Sequence, residues 1–140
     1  MTPLEALYQA LPISSERIRV GNQTSCGGIA GAHLDLAAAS AYEFVDATVA
    51  TLRPEHREDH GLRDLCVTNV RAGIEAELTE LFGELPSVRV VLNWVLMHEV
   101  DSNEPVNRRA GRTVVRQAFR DAGLAVPSPD NSYRILHPLT

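Results

Sequence analysis

Lysine is absent from these 140 residues: all thirteen cationic side chains are arginine, set against eighteen aspartates and glutamates. A GC-rich coding bias accounts for that more simply than selection against lysine modification. Cysteine is scarce too. Cys26 and Cys66 are too widely separated for a thiol redox pair and too few for a disulfide framework, so both are expected to be reduced. No run approaches the roughly 18 to 20 apolar residues that a bilayer-spanning helix needs. Met1 to Glu5 shows neither the basic nor the apolar segment of a secretory signal. A cytoplasmic protein without a membrane partner is expected. There is no internal repeat and no low-complexity tail.

What is present points to a folded chain. An apolar content of 44% with 22% charged residues suits one domain with one buried core, so residues 1–140 are read as a single α+β domain. Thr2 is a candidate N-cap with Pro3 at the first helical position, and Leu4, Leu7, Tyr8 and Leu11 recur at helical spacing. Arg17 to Val20 alternates as a strand does and leads into a Gly-rich turn that contains Cys26. From Ile29 to Arg53 the chain is rich in alanine, and Asp35, Glu43, Asp46 and Arg53 fall in one narrow arc at 100° per residue, which predicts a long helix with a thin wet face. Leu62 to Phe82 carries Cys66, Val67, Val70, Ile74, Leu78 and Leu81 along one face, with Gly83 as its stop.

Ser87 to Val100 is dense in valine and leucine. It predicts the core strand of the sheet, buried on both faces or folded as a pair of strands meeting near Asn93, with Trp94 as a core anchor. Asp101 to Pro105 supplies capping residues for a helix over 105–122, and Tyr133 to Leu136 reads as a last strand. The expected architecture is about three main helices packed on a small sheet whose core strand lies at 87–100.

The charge is segregated. Arg108, Arg109, Arg112, Arg116 and Arg120 lie in a stretch without acids, while the net charge of −5 leaves the rest of the chain near −10. Arg108, Arg112, Arg116 and Arg120 are four apart and form one cationic ridge beside an apolar stripe of Val114, Val115, Ala118, Phe119 and Ala122. These five arginines are the candidate partner-binding residues. Their planar guanidinium groups suit an acidic protein, a second copy of the chain, or a nucleic-acid backbone. Nucleic acid is the weaker option, because the pI is near 5.5 and only Phe119 offers a stacking ring nearby. The plainer alternative is salt bridging to the acidic residues between Glu55 and Glu84, within one subunit or between two.

Two other constellations carry chemistry. Cys26 stands before the expected 29–53 helix, whose N-terminus would lower a thiol pKa. With His98 as base, oriented by Asp101 or Asn103, it would make a small cysteine-dependent hydrolase or transferase. No family signature surrounds that cysteine. His56 and His60 are four apart, as zinc ligands on a helical turn can be, with His33, Asp35 or Glu58 as a third ligand. They lie in a polar acidic run, where exposed histidines are ordinary, and no cofactor is expected.

Ala118 to Pro129, a helix ending at Gly123 followed by Pro127-Ser128-Pro129, resembles the C-terminal cytoplasmic segment of small mechanosensitive channels over roughly 20 residues. The resemblance implies a helix-turn-strand corner in an α+β domain. The membrane helices of that family are missing from this chain, so no channel function follows. The function expected overall is a non-catalytic binding or assembly module using the 105–122 helix.

Overall fold

The protein is described by a computed structural model over residues 1–21, 27–127 and 133–136. Three α-helices, α1 (Pro3–Ala10), α2 (His60–Phe82) and α3 (Glu104–Asp121), pack on a mixed sheet of six strands. The strands are β1 (Ile13–Ser14), β2 (Arg17–Gly21), β3 (Ile29–Ala38), β4 (Glu43–Asp46), β5 (Val88–Val95) and β6 (Arg134–Leu136). Their order is β4-β5-β3-β2-β6, with β1 also paired to β3. All pairings are antiparallel except β4 with β5. The α+β class expected from the sequence is the one observed.

Local chemistry sets the helix ends. Thr2 accepts from the Glu5 N–H and Glu5 reaches back to the Thr2 N–H, a capping box that starts α1. Asn103 Oδ1 accepts from the Val106 N–H at 2.9 Å and starts α3. Gly83, at φ +79°, adopts the left-handed conformation that stops α2 and donates its N–H to Thr79 at 2.7 Å. Gly123, at φ +82°, follows α3 in the same way and precedes β6, so the helix and strand of the expected corner are present. Residues 128–132 of its turn lie outside the described residues.

The segment 29–53 is not a helix. It forms β3, β4 and a short 3-10 turn at Thr48–Thr51. Ala32, Leu34 and Leu36 are fully buried, while His33, Asp35 and Ala37 between them are only partly so, the period of two that belongs to a strand. Alanine and leucine favour helix locally, but pairing on both sides, with β2 and β5, overrides that preference. The arc of Asp35, Glu43, Asp46 and Arg53 was a coincidence of spacing. β5 is one strand rather than a pair, and it buries one face. Val88, Val90, Leu92 and Val95 enter the core, whereas Arg89 is exposed and Asn93 and Trp94 are half-buried.

The core lies between this sheet face and the two long helices, where Ile18, Val20, Leu34, Leu36, Val90 and Leu92 meet Val70, Ile74, Leu78, Val114, Ala118 and Phe119. The helices touch through two glycines. A Cβ on Gly73 would collide with the Arg108 carbonyl oxygen, and one on Gly111 with that of Val70. Neither helix accommodates a side chain there, so their backbones meet directly. Among the described residues no helix is long and apolar enough to cross a membrane.

Candidate functional site

The five ridge arginines occupy the margins of α3, and the middle of the ridge faces α2 rather than solvent. Glu77 explains this. It belongs to the buried stripe of α2 at 0% exposure, a place for which its charge requires partners. Arg112 donates to its Oε1 at 3.1 Å and Arg116 to its Oε2 at 2.8 Å. Arg112 also reaches Glu80 at 2.7 Å, and these carboxylates hold its guanidinium above the usual arginine pKa. Arg108 donates to Asn69 Oδ1 at 2.9 Å and stands 3.6 Å from Glu104. Arg109 also has an interaction partner, and Arg120 is exposed at the end of the helix. Arg112 and Arg116 therefore take the salt-bridging alternative within one subunit.

Cys26 lies outside the described residues. His98 and Asp101 do come together, with Nδ1 3.3 Å from Oδ2, but Nδ1 also accepts the Asp101 backbone N–H at 3.1 Å. In a nucleophile-base-acid relay the imidazole Nδ1–H donates to the acid; accepting a backbone N–H instead places the proton of the neutral ring on Nε2. Asn103 is used elsewhere: besides capping α3 it donates to the Gly27 carbonyl at 3.1 Å. Cys66 is fully buried, and burial pushes its thiol pKa up.

His56 and His60 each turn to a neighbouring acid, Nδ1 of His56 to Asp59 at 3.0 Å and Nε2 of His60 to Glu58 at 3.7 Å. Among the described residues, no group of three or more His, Cys, Asp or Glu is placed to hold a metal ion.

The sheet face opposite the α-helices carries a different arrangement, one that sequence reading missed. Strand alternation puts Ile18 and Val20 in the core and Arg17 and Arg19 on the other side. Trp94 lies on that side as well, not in the core as its apolar surroundings in sequence suggested. Its six-membered ring covers Gly31, where a Cβ would come within 2.8 Å of it. The Arg17 guanidinium lies over the indole, its Cζ 4.4 Å from the ring centroid. Desolvation there lowers the Arg17 pKa from its usual value.

Beside the indole is a cavity of about 420 Å³ whose lining includes Arg17, Arg53, His56, His98, Leu52 and Trp94 and, among the described residues, no aspartate or glutamate. The turn at Thr48–Thr51 walls it. Thr51 Oγ1 donates to the Asn93 carbonyl at 2.7 Å, and the Ala47 N–H donates to that of Leu92 at 2.9 Å.

Next to this cavity two cations, Arg19 and Arg134, lack counter-charges among the described residues. Arg19 pairs across strands with Arg134 on one side and Gly31 on the other. Directly opposed residues share a face, and like charges so placed repel. Neither arginine has an ion pair or side-chain hydrogen bond among the described residues, and Arg19 Nε is buried without an acceptor. The acids described on this face are already held: Asp35 by the Ser14 hydroxyl and by Asn93 Nδ2, the latter at 2.9 Å, and Glu43 by Arg89 at 2.8 Å. The available sequence signal was a strand whose arginines alternate with its core residues, Arg17-Ile18-Arg19-Val20.

No family model matches the chain, and no curated protein matches it in sequence. Among solved structures it is similar to ttk003000868 from Thermus thermophilus, with a TM-score of 0.62 and 17% identity. The match covers 79% of this chain but only 16% of that one, so the chain spans a small part of that protein's length. At this identity the likeness shows the fold alone.

Proposed function

We propose that the protein is a non-catalytic cytoplasmic binding module that receives an anionic partner on the sheet face opposite its α-helices. The observation that carries this is the contrast between two sets of arginines. In the middle of the α3 ridge, Arg112 and Arg116 are saturated by Glu77 and Glu80. Arg17, Arg19 and Arg134 have no carboxylate partner among the described residues, and two of them oppose each other. In a chain of net charge −5, Arg19 facing Arg134 without a carboxylate costs self-repulsion that a bound anion removes. An enzyme built on Cys26 and His98 is disfavoured by the acceptor role of His98 Nδ1.

The sole tryptophan reports on this site. Titration with inorganic polyphosphate and with polyglutamate at low salt is expected to change Trp94 emission saturably with at least one of them, and Arg19→Ala with Arg134→Ala is expected to weaken that response. Emission unchanged by either polyanion and by single-stranded RNA would remove the proposal.

A further inference from the structure

Resting on that reading, we infer that the anion is a single-stranded nucleic acid, one of whose bases enters the Trp94 cavity while its phosphates meet Arg19 and Arg134. The site combines three features that such a strand needs together. The first is a flat stacking surface. Trp94 carries the Arg17 guanidinium over its ring at 4.4 Å, and a base can stack on a guanidinium plane that an aromatic ring supports. The second is a cavity of about 420 Å³ lined by both apolar and polar side chains, the size class of small-molecule sites. Thr48 and Thr51 of the 3-10 turn and His98 line it.

The third feature is a line of charge that leaves the cavity. Arg17 and Arg19 are two residues apart on β2, about 7 Å along a strand, and Arg134 stands one strand further out. Arg19 and Arg134 therefore stand side by side to meet the backbone phosphates next to a base stacked on Arg17. Arg53 adds a further, exposed cation at the cavity rim, although Glu55 stands 3.6 Å from it. An acidic peptide would satisfy the charges but would leave the stacking surface and the cavity unused. A duplex keeps its bases stacked inside and cannot place one against Trp94.

The test is anisotropy of a fluorescein-labelled oligouridylate, read alone and annealed to its complement, with uridine monophosphate and polyglutamate as competitors. The single strand is expected to bind more tightly than the duplex and to weaken with salt. Arg19→Ala with Arg134→Ala is expected to lower the slope of log affinity against log salt by about 1.4, from the roughly 0.7 contributed by each single-strand phosphate contact. Trp94→Ala is expected to weaken binding by about 5- to 150-fold, the range for loss of one stacked base. Exposed Arg120→Ala, on α3, should leave affinity within about twofold, and circular dichroism confirms that each variant is folded.

Equal affinity for single strand and duplex, or an unchanged affinity in folded Trp94→Ala, overturns the proposal. Uridine monophosphate binding as tightly as the strand overturns it in favour of a free nucleotide. Polyglutamate binding without oligonucleotide binding overturns it while leaving the anion-receiving site intact, and silence to all of these probes removes both.

Discussion

Glu77 carries its carboxylate at 0% exposure, and its charge is matched only because Arg112 and Arg116 reach in from α3. A buried carboxylate stripped of its cations keeps its desolvation cost and loses its compensation. Arg112→Glu together with Arg116→Glu is therefore expected to destabilise the fold by about 3 to 5 kcal/mol in urea unfolding. A purely exposed ridge would lose association and keep its stability. Trp94 runs the other way, since it is half-buried on the sheet face away from the core. Trp94→Ala is expected to cost about 1 to 2 kcal/mol, against about 3 to 5 kcal/mol for Phe119→Ala in the closed core; urea midpoints of the two variants check the difference.

Cys66 gives a pH-dependent expectation at the same scale. Burial raises its thiol pKa, and hydrogen bonds with Ser102 and Asn107 oppose the shift more weakly. The folded state thus favours the protonated thiol more than the unfolded chain does. That contribution is complete below the unfolded thiol pKa and is lost as pH rises through the folded one. Native protein should leave Cys66 unlabelled by iodoacetamide at neutral pH, and Cys66→Ala should flatten the alkaline fall in stability followed by urea unfolding.

At the scale of elements, the α2–α3 pair depends on two positions without side chains. Alanine in a helix is intrinsically better than glycine by about 1 kcal/mol, yet at Gly73 or Gly111 its Cβ would collide with a carbonyl oxygen of the other helix. Gly111→Ala is expected to force the helices apart and lower the thermal midpoint by roughly 10 °C or more, a loss of several kcal/mol. The same separation would draw the arginines from Glu77.

These elements were legible in sequence to different degrees. α2 and α3 were readable from their periodicity, and the Gly83 stop of α2 and the Asn103 cap of α3 act locally, whereas the start of α2, which has no side-chain cap, fell two residues before the expected Leu62. β3 was not, because nothing in Ala30-Gly31-Ala32-His33-Leu34 reveals that strands will lie on both sides of it. Its alternation becomes meaningful only once β2 and β5 are in place.

For the whole molecule, the lesson concerns where charge is spent. The densest arginine cluster in the sequence lies largely along the seam between two helices, while the sparser Arg17, Arg19 and Arg134 gather on one face because β6 returns beside β2. Sequence spacing exposed the first group and hid the second, because Arg134 lies more than a hundred positions from Arg17 and Arg19. Trp94 was found in sequence but placed on the wrong side of its strand, since the register shift between His33 and Leu34 is set by pairing with β5 rather than by composition.

The late return of β6 also bears on synthesis. Until Arg134–Leu136 arrives, β2 presents an unpaired edge, the feature through which nascent chains most readily join one another. Two such edges brought together would set the arginines of one β2 among those of the other, with no acid on either strand to relieve them. The arginines of β2 thus guard the growing chain against pairing with its own copies.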